Sequence, residues 1–241
     1  MRALARESEP RTPRASTPRH EQGRAEILVA AAEMIAARGY HGMSMRDLAA
    51  ATGRGLASLY NYFDSKEDLL FALQSGAFRT LVETAREAVD AESTPDARLY
   101  AFIANHVRYV TEHRDVMRVL VHEAAALPPA HRRATRLLKD AYFALGRQLM
   151  AERGVADDYA EIDRATYSLF GMINWTFGWY DPTQHGTPFD VARTILRMTV
   201  GSPGGDFRAV ETHLKNRPAL SPIRPELDPL DPVSTPHERS P

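Results

Sequence analysis

The chain has 241 residues, of which 44% are hydrophobic, enough to bury the core of one large or two small domains. Its formal net charge of −1 gives no general attraction to phosphates, so nucleic-acid binding would depend on locally placed cations. Zero cysteines exclude disulfides, thiolate metal sites and cysteine nucleophiles. We find no apolar run of about 18 residues and no signal-peptide pattern, so we expect a cytoplasmic protein with no membrane partner.

Four helices are predicted in the first part of the chain. Residues 1–22 are rich in Arg and Pro and are expected to be a disordered arm. Apolar residues at steps of three and four in "AEILVAAAEMIAARG" predict the first helix. Ser44, with Asp47 three residues later, predicts the N-cap of the second helix. The stretch "GLASLYNYF" is the predicted third helix, and a second cap pair, Ser65 and Asp68, begins a long fourth helix.

The remaining segments are also predicted to be helical. Thr94 before Pro95 marks a new helix start. Pro or Gly occurs in the short linkers, and no alternating β pattern competes, so we expect an all-α fold. The periodic segments are 95–112, 114–126, 129–153, 157–181 and 188–200. From residue 202 to 241 Pro recurs every few residues, which predicts a mostly disordered tail with one weak helix near 206–215.

The stretch "SMRDLAAATGRGLASLYNYF" has the spacing of a helix-turn-helix rather than that of an ordinary helical hairpin. Such a motif needs a small residue where the helices cross, a turn residue that tolerates positive φ, and an apolar anchor on the second helix. Ala49, Gly53 and Leu59 supply these features at offsets of four and six. The polar and aromatic residues between them then face outward, where they can contact phosphates and base edges.

Residues 24–70 resemble the N-terminal domain of TetR-family transcriptional regulators. The strings "AARGYHGMSMRDLAAATG" and "SLYNYFDSKEDLL" carry this resemblance without a gap. It implies a DNA-binding domain over residues 23–70 and a helical effector-binding and dimerisation domain over residues 71–201. It implies base contacts for Arg46, Arg54, Gly55, Ala57 and Tyr60. It implies phosphate contacts for Ser44, Ser58, Tyr62 and Lys66.

Residue chemistry supports these roles separately. An Arg offers a bidentate fork to guanine, whereas a hydroxyl offers single bonds to phosphate. Lys66 at a helix start is opposed by the helix dipole, which favours a phosphate partner over a solvated side chain. Tyr60 and Tyr62 cannot both be buried on one helix face, so at least one is expected to reach solvent or DNA. The Arg-rich arm either solubilises the chain or enters the minor groove.

Residues 95–200 carry no nucleophile elbow, phosphate loop or H-E-x-x-H spacing, so neither an enzyme nor a cofactor is expected. Four histidines lie at positions whose helical spacings of seven and nine do not place two ligands on one turn. Solvated or capping histidines are therefore favoured over a metal site. The histidines are His106, His113, His122 and His131.

Aromatic residues circle the helix predicted for "YSLFGMINWTFGWYDP", which indicates burial all round, either within the monomer or against a partner helix and a ligand cavity. The TetR resemblance implies that the last two long helices of each copy form a four-helix bundle in a homodimer. An apolar stripe on the final helix has the spacing needed for this bundle. Its members are Phe189, Ala192, Ile195, Leu196 and Thr199.

The string "NWTFGWYDP" with the loop after it is similar to the branch of TetR regulators that senses fatty-acyl or steroid-derived coenzyme A thioesters. Phe170, Asn174, Trp175 and Trp179 are the corresponding candidate ligand contacts. The same aromatic run also fits a pocket for a drug or a flavonoid, or plain packing. We therefore predict a homodimeric repressor that an apolar small molecule releases from a palindromic operator. The alternatives are a DNA-binding structural protein whose helical domain only dimerises, and an enzyme with an unrecognised helical site.

Overall fold

The computed structural model describes residues 18–219 and 221–223. Within these ranges the chain forms helices and no β-strand, which confirms the predicted all-α fold. A single 3-10 turn, Ala124–Ala126, follows the sixth helix. In chain order the helices are α1 (Pro18–Arg38), α2 (Met45–Ala51), α3 (Leu56–Leu59), α4 (Lys66–Asp90), α5 (Pro95–Glu112), α6 (Arg114–His122), α7 (Pro129–Glu152), α8 (Tyr159–Asn174), α9 (Thr176–Trp179), α10 (Pro182–His185), α11 (Pro188–Val200) and α12 (Arg208–Asn216).

Hydroxyl side chains cap the helices at the predicted positions. The Ser44 hydroxyl accepts from the backbone N–H of Asp47 at 3.2 Å and begins α2. Ser65 caps α4 in the same way, and Thr94 caps α5 in front of Pro95. Because each cap satisfies a donor that the first helical turn leaves unpaired, these starts could be predicted from local sequence.

Four helix boundaries differ from the prediction. The predicted segment 114–126 ends as an α-helix at His122, before the 3-10 turn Ala124–Ala126. Helix α1 begins at Pro18, a residue that the first turn of a helix tolerates well. Residues 18–22, which were expected to be disordered, are therefore helical, and the rest of the predicted arm lies outside the described residues. Helix α3 ends at Leu59 rather than at residue 63. The segment 157–181 is interrupted at Trp175 between two glycines, which weaken a helix.

Helix α5 lies at the centre of the predicted effector-binding and dimerisation domain, residues 71–201, which we call the C-terminal domain. All twelve residues from Leu99 to Val110 are buried, and α4, α7 and α11 pack around them. The helix that is buried on every side is thus α5. The prediction that the aromatic helix α8 is buried all round is wrong for the single chain, because Tyr167 and Trp175 are 67% and 57% exposed.

The apolar stripe on α11 packs inside the chain. Phe189, Ala192, Ile195 and Leu196 are buried, and α11 makes its main contacts with α5. The prediction that this stripe faces a second copy is therefore wrong. Met198, three residues after Ile195, lies on the outer side of α11 and is 72% exposed. A helix with two apolar sides gives no sequence signal for which side its own chain covers.

Helix α1 places the helix-turn-helix on the rest of the molecule by packing against α6 and α4. A polar junction forms where these elements meet. The backbone N–H of Tyr40 donates to Glu123 Oε1 at 3.1 Å, and Gln74 Nε2 donates to the Glu123 carbonyl at 3.1 Å. Glu123 therefore joins the loop after α1, the middle of α4 and the end of α6.

The C-terminal strap, residues 207–219 and 221–223, crosses α5. Its helix α12 confirms the helix predicted near 206–215. Residues 217–223 were expected to be disordered, yet Arg217 donates to the Thr84 carbonyl and Ile223 is buried. The Tyr109 hydroxyl donates to the Pro222 carbonyl at 2.6 Å. Residue 220 and residues 224–241 lie outside the described residues.

Candidate nucleic-acid interface and effector site

The helix-turn-helix is built as its spacing predicted. Ala49 is buried on α2, and Leu59 is buried on α3. Gly53 has φ +63 in the turn between them, a conformation that costs glycine little and other residues more. The Arg54 N–H closes the turn on the Ala49 carbonyl at 2.9 Å. These inward contacts fix α3 against α2 and direct the remaining side chains away from the core.

The nine candidate DNA contacts fall into two groups. Five are exposed: Ser44, Arg46, Gly55, Ala57 and Tyr60. Four are half-buried: Arg54, Ser58, Tyr62 and Lys66. The exposed Tyr60 beside the half-buried Tyr62 agrees with the expectation that at least one of the two tyrosines reaches solvent.

Arg54 and Tyr62 are held by partners within the chain. Arg54 Nη2 lies 2.8 Å from Glu26 Oε2 on α1, and its guanidinium lies 5.7 Å from the Tyr62 ring centroid. The Tyr62 ring in turn stacks on His20 at 4.5 Å. This chain of contacts fastens the first turns of α1 to the turn of the motif.

Ser44 and Lys66 also have internal contacts. The Ser44 hydroxyl donates to Asp47 Oδ2 at 2.7 Å, and this bond is the largest cause of the lowered pKa of Asp47. Lys66 Nζ lies 4.2 Å from the centroid of the Tyr40 ring, a cation–π distance. Within the described residues Arg46 forms no ion pair. Arg46 is therefore the candidate base-contacting cation that no acidic side chain neutralises.

The four candidate ligand residues lie in two separate places. Phe170 and Asn174 lie beside His106 in the interior between α5, α7 and α8. Trp175 and Trp179 lie on the outer surface, 57% and 42% exposed. The structure therefore brings Phe170 and Asn174 together and separates them from the two tryptophans.

The outer surface of α8, α9 and α11 forms an apolar face, which we define by the exposed side chains Tyr167, Trp175, Trp179 and Met198. A groove of about 700 Å³ between α8 and α11 is lined in part by Trp175, Trp179 and Met198. Gly171 and Ser168 form part of its floor, and a Cβ added to Gly171 would contact nothing within 4 Å. An exposed aromatic face of this kind marks an interaction surface.

His106 corrects the prediction of solvated or capping histidines. Its side chain is fully buried, and Nδ1 lies 3.0 Å from the Tyr142 hydroxyl. Burial lowers the pKa of His106 to about 3, and the nearby Asn174 amide only partly opposes this shift. Sequence reasoning missed this site, although the surrounding string "YAFIANHVRYV" is apolar on nearly every side and indicated a buried helix.

Two further features bear on function. Within residues 18–219 and 221–223, no three His, Cys, Asp or Glu side chains are grouped so that they could hold a metal ion. In the same part of the chain, no helix has the length and apolarity needed to cross a membrane. What the structure does present is a helix-turn-helix joined to a separate helical domain, which is the arrangement of a DNA-binding regulator.

Comparison with known proteins agrees with this class. Residues 27–73 match the family model of bacterial regulatory proteins of the tetR family. Residues 92–202 match a tetracyclin repressor-like C-terminal domain. The chain belongs to the TetR family of transcriptional regulators.

Individual relatives cover different parts of the chain. The transcriptional repressor KstR2 of Mycobacterium tuberculosis is 32% identical over 104 residues, which are 43% of this chain and about half (52%) of KstR2. A TetR-family regulator from Bordetella parapertussis has a TM-score of 0.69 at 27% identity and covers 74% of this chain and 94% of its own. AibR, solved with isovaleryl coenzyme A and operator DNA, has a TM-score of 0.65 at 27% identity over 74% of this chain and 98% of its own.

Proposed function

We propose that this chain is a homodimeric repressor that binds a palindromic operator and releases it when an acyl coenzyme A thioester binds in the C-terminal domain. The observation that carries the DNA-binding part is the outward-facing helix-turn-helix. Ala49 and Leu59 anchor it from inside, whereas Arg46 and Tyr60 remain exposed for the major groove. The similarity to KstR2, a repressor by name, supports repression rather than activation.

The apolar face on α8 and α11 supports the homodimer. Its aromatic side chains are exposed in the single chain, and a second copy would bury them in a four-helix arrangement. The two helix-turn-helix domains of the dimer, called the heads, are then held at a fixed separation and bind two half-sites of one operator. The proposed dimer surface is therefore the apolar face and not the buried stripe of α11, but α8 and α11 remain the two helices that form the bundle.

The aromatic interior between α5, α7 and α8 supports an apolar effector. Phe102, Tyr142 and Phe170 have ring centroids within 6.0 Å of one another, and such surroundings suit an acyl chain. AibR was solved with both isovaleryl coenzyme A and operator DNA, which supports a coenzyme A thioester over other apolar molecules. Helix α6, which packs on α1, provides a connection from this interior to the head.

The test begins with operator fragments selected from genomic DNA by the pure protein. A chain-length series of acyl coenzyme A thioesters, from butanoyl to octadecanoyl, is then titrated against the protein–operator complex and followed by fluorescence anisotropy. We expect release that strengthens with chain length until the interior is filled, since each buried CH₂ contributes about 0.8 kcal/mol. Operator binding that none of these thioesters weakens would leave a DNA-binding protein whose helical domain only dimerises.

A further inference from the structure

Helices α5, α7 and α8 enclose one buried ring nitrogen, Nε2 of His106, that has no hydrogen-bond partner among the described residues. The Nδ1 atom of His106 contacts the Tyr142 hydroxyl at 3.0 Å. The Asn174 amide is close enough to interact with the imidazole and opposes part of its pKa shift, but it makes no hydrogen bond of ordinary geometry to Nε2. Buried polar groups are nearly always paired, so an unpaired ring nitrogen in a buried site requires an explanation.

The site is polar but uncharged. Burial lowers the pKa of His106 to about 3 and raises that of Tyr142 well above its usual value, so both groups are neutral at physiological pH. The nearest cation along α5, Arg108, is directed away from this site, because Nη1 donates to the Leu214 carbonyl of the strap at 2.6 Å. A ligand carboxylate here would be buried without a compensating charge, which is costly.

Aromatic rings surround His106 and Tyr142. The centroid of the Phe170 ring lies 5.4 Å from that of Phe143 and 5.7 Å from that of Tyr142. Phe170 is half-buried, whereas Tyr142 and Phe102 are fully enclosed. A Cβ on Gly146 would lie 3.0 Å from Phe170 Cε2, so the Phe170 ring can occupy its present position because residue 146 is glycine. The half-buried Phe170 ring therefore lies between solvent and the side chains of His106 and Tyr142.

We propose that His106 Nε2 donates a hydrogen bond to the carbonyl oxygen of the acyl thioester, with the acyl chain taking the space that the Phe170 ring now occupies. This inference rests on the proposed function and names the group that recognises the effector. When the Tyr142 hydroxyl donates to Nδ1, the imidazole proton resides on Nε2. A neutral thioester carbonyl satisfies that donor, and the ionised carboxylate of a free fatty acid is disfavoured. Tyr142 is the positioning residue that fixes the tautomer.

The test compares two ligands in two proteins. The ligands are the acyl coenzyme A that releases the operator most effectively and its S-alkyl analogue, a thioether of the same chain length without the carbonyl oxygen. The proteins are wild type and His106→Phe, which keeps an aromatic ring and removes the donor. For wild type we expect the thioester to release the operator at about 10-fold lower concentration than the thioether, the effect of one buried hydrogen bond. His106→Phe should respond to both ligands alike.

Two further variants complete the comparison. His106→Gln retains an amide N–H and should recover part of the thioester preference. Leu137→Ala, on the exposed side of α7 and outside both the interior and the apolar face, should keep the full preference. Should His106→Phe lose its helical circular dichroism, Tyr142→Phe takes its place and should reduce the preference while remaining folded.

The outcomes separate this inference from the function on which it rests. If acyl thioesters release the operator from wild type and His106→Phe keeps the thioester preference, Nε2 does not contact the carbonyl and only this inference is wrong. If no acyl thioester releases the operator from wild type, the proposed function itself fails. Equal release by the free fatty acid and its coenzyme A thioester would also overturn the inference, because the uncharged site disfavours a carboxylate.

Discussion

Among single residues, the polar side chains of the head differ in how far the chain already uses them. Arg54 is paired with Glu26, and Ser44 completes the cap of α2. Arg46 and Tyr60 are exposed. A side chain without internal partners can form new bonds to a base at little cost, whereas a paired one must first exchange partners. We therefore place sequence recognition mainly on Arg46 and Tyr60, and assign Arg54 a positioning role.

Replacing Arg46 and Lys66 should have different effects. Arg46→Ala should cost about 1–3 kcal/mol at one base pair of the operator, because a bidentate contact to guanine is lost. Lys66→Ala should weaken binding to all sequences alike and flatten the salt dependence by about one phosphate contact. Anisotropy titrations against the operator and single-base variants, at several salt concentrations, measure both effects. Equal affinity of Arg46→Ala and wild type for every DNA, with the fold intact, would remove Arg46 from the interface.

On the scale of helices, local chemistry determines what the sequence reveals. Ser44, Ser65 and Thr94 begin helices where they were predicted, since a cap depends on only a few neighbouring residues. Which helix is central depends on the whole fold. Helices α5 and α8 both have apolar residues on most sides, and only the packing shows that α5 is enclosed while α8 keeps Tyr167 exposed. The burial of His106 follows from the position of α5 and was missed for that reason.

The strap contributes to stability through partners that α5 cannot replace. Besides its bond to Leu214, the buried Arg108 donates to the Pro218 carbonyl at 3.2 Å, and Glu112 lies 2.7 Å from its Nε. Ending the chain after residue 206 would leave this guanidinium with Glu112 alone. It would also uncover the sites where Leu214 and Ile223 are buried.

We expect the chain that ends after residue 206 to lose at least about 3 kcal/mol of unfolding free energy, because two charge-assisted hydrogen bonds and buried apolar area disappear. For a chain of this size, that corresponds to a fall of roughly 10 °C in Tm. A chain that ends after residue 223 is the matched control and should melt like wild type, since the Pro-rich remainder is predicted from sequence to add no packing. Calorimetry measures the Tm of wild type and of the two shortened chains. Equal Tm values for all three would show that the strap adds no stability.

For the molecule as a whole, the proposed homodimer depends on the apolar face of α8 and α11. Met198→Asp places a carboxylate on this face and should convert the protein to monomers at micromolar concentration, because a buried unpaired charge opposes association. Leu137→Asp is the matched control: Leu137 on α7 is also 72% exposed but lies outside the face. Sedimentation should show that this control assembles like wild type. Ile195 is a poorer choice, since it is buried within the single chain and its replacement would disturb the monomer.

Release of the operator requires that the effector favour one of two arrangements of the heads, and a coupling of a few kcal/mol is enough to change occupancy by orders of magnitude. In the proposed function we infer that Glu123 takes part in this coupling, because it joins the loop after α1 to α4 and α6. The sequence indicated the two domains, but it gave no sign of this junction, since its three elements are distant along the chain and meet only in the folded molecule.

The position of the two tryptophans has a spectroscopic consequence. Both indoles of this chain, Trp175 and Trp179, lie on the apolar face, and the head contains neither. Their emission should therefore report the proposed self-association without a label, because an indole that moves from water into an apolar contact changes its emission wavelength. Dilution of the unliganded protein should shift the spectrum toward the red as the copies separate, whereas Met198→Asp should show the dilute spectrum at every concentration. Emission of the unlabelled protein would thus measure the proposed assembly equilibrium without an attached dye.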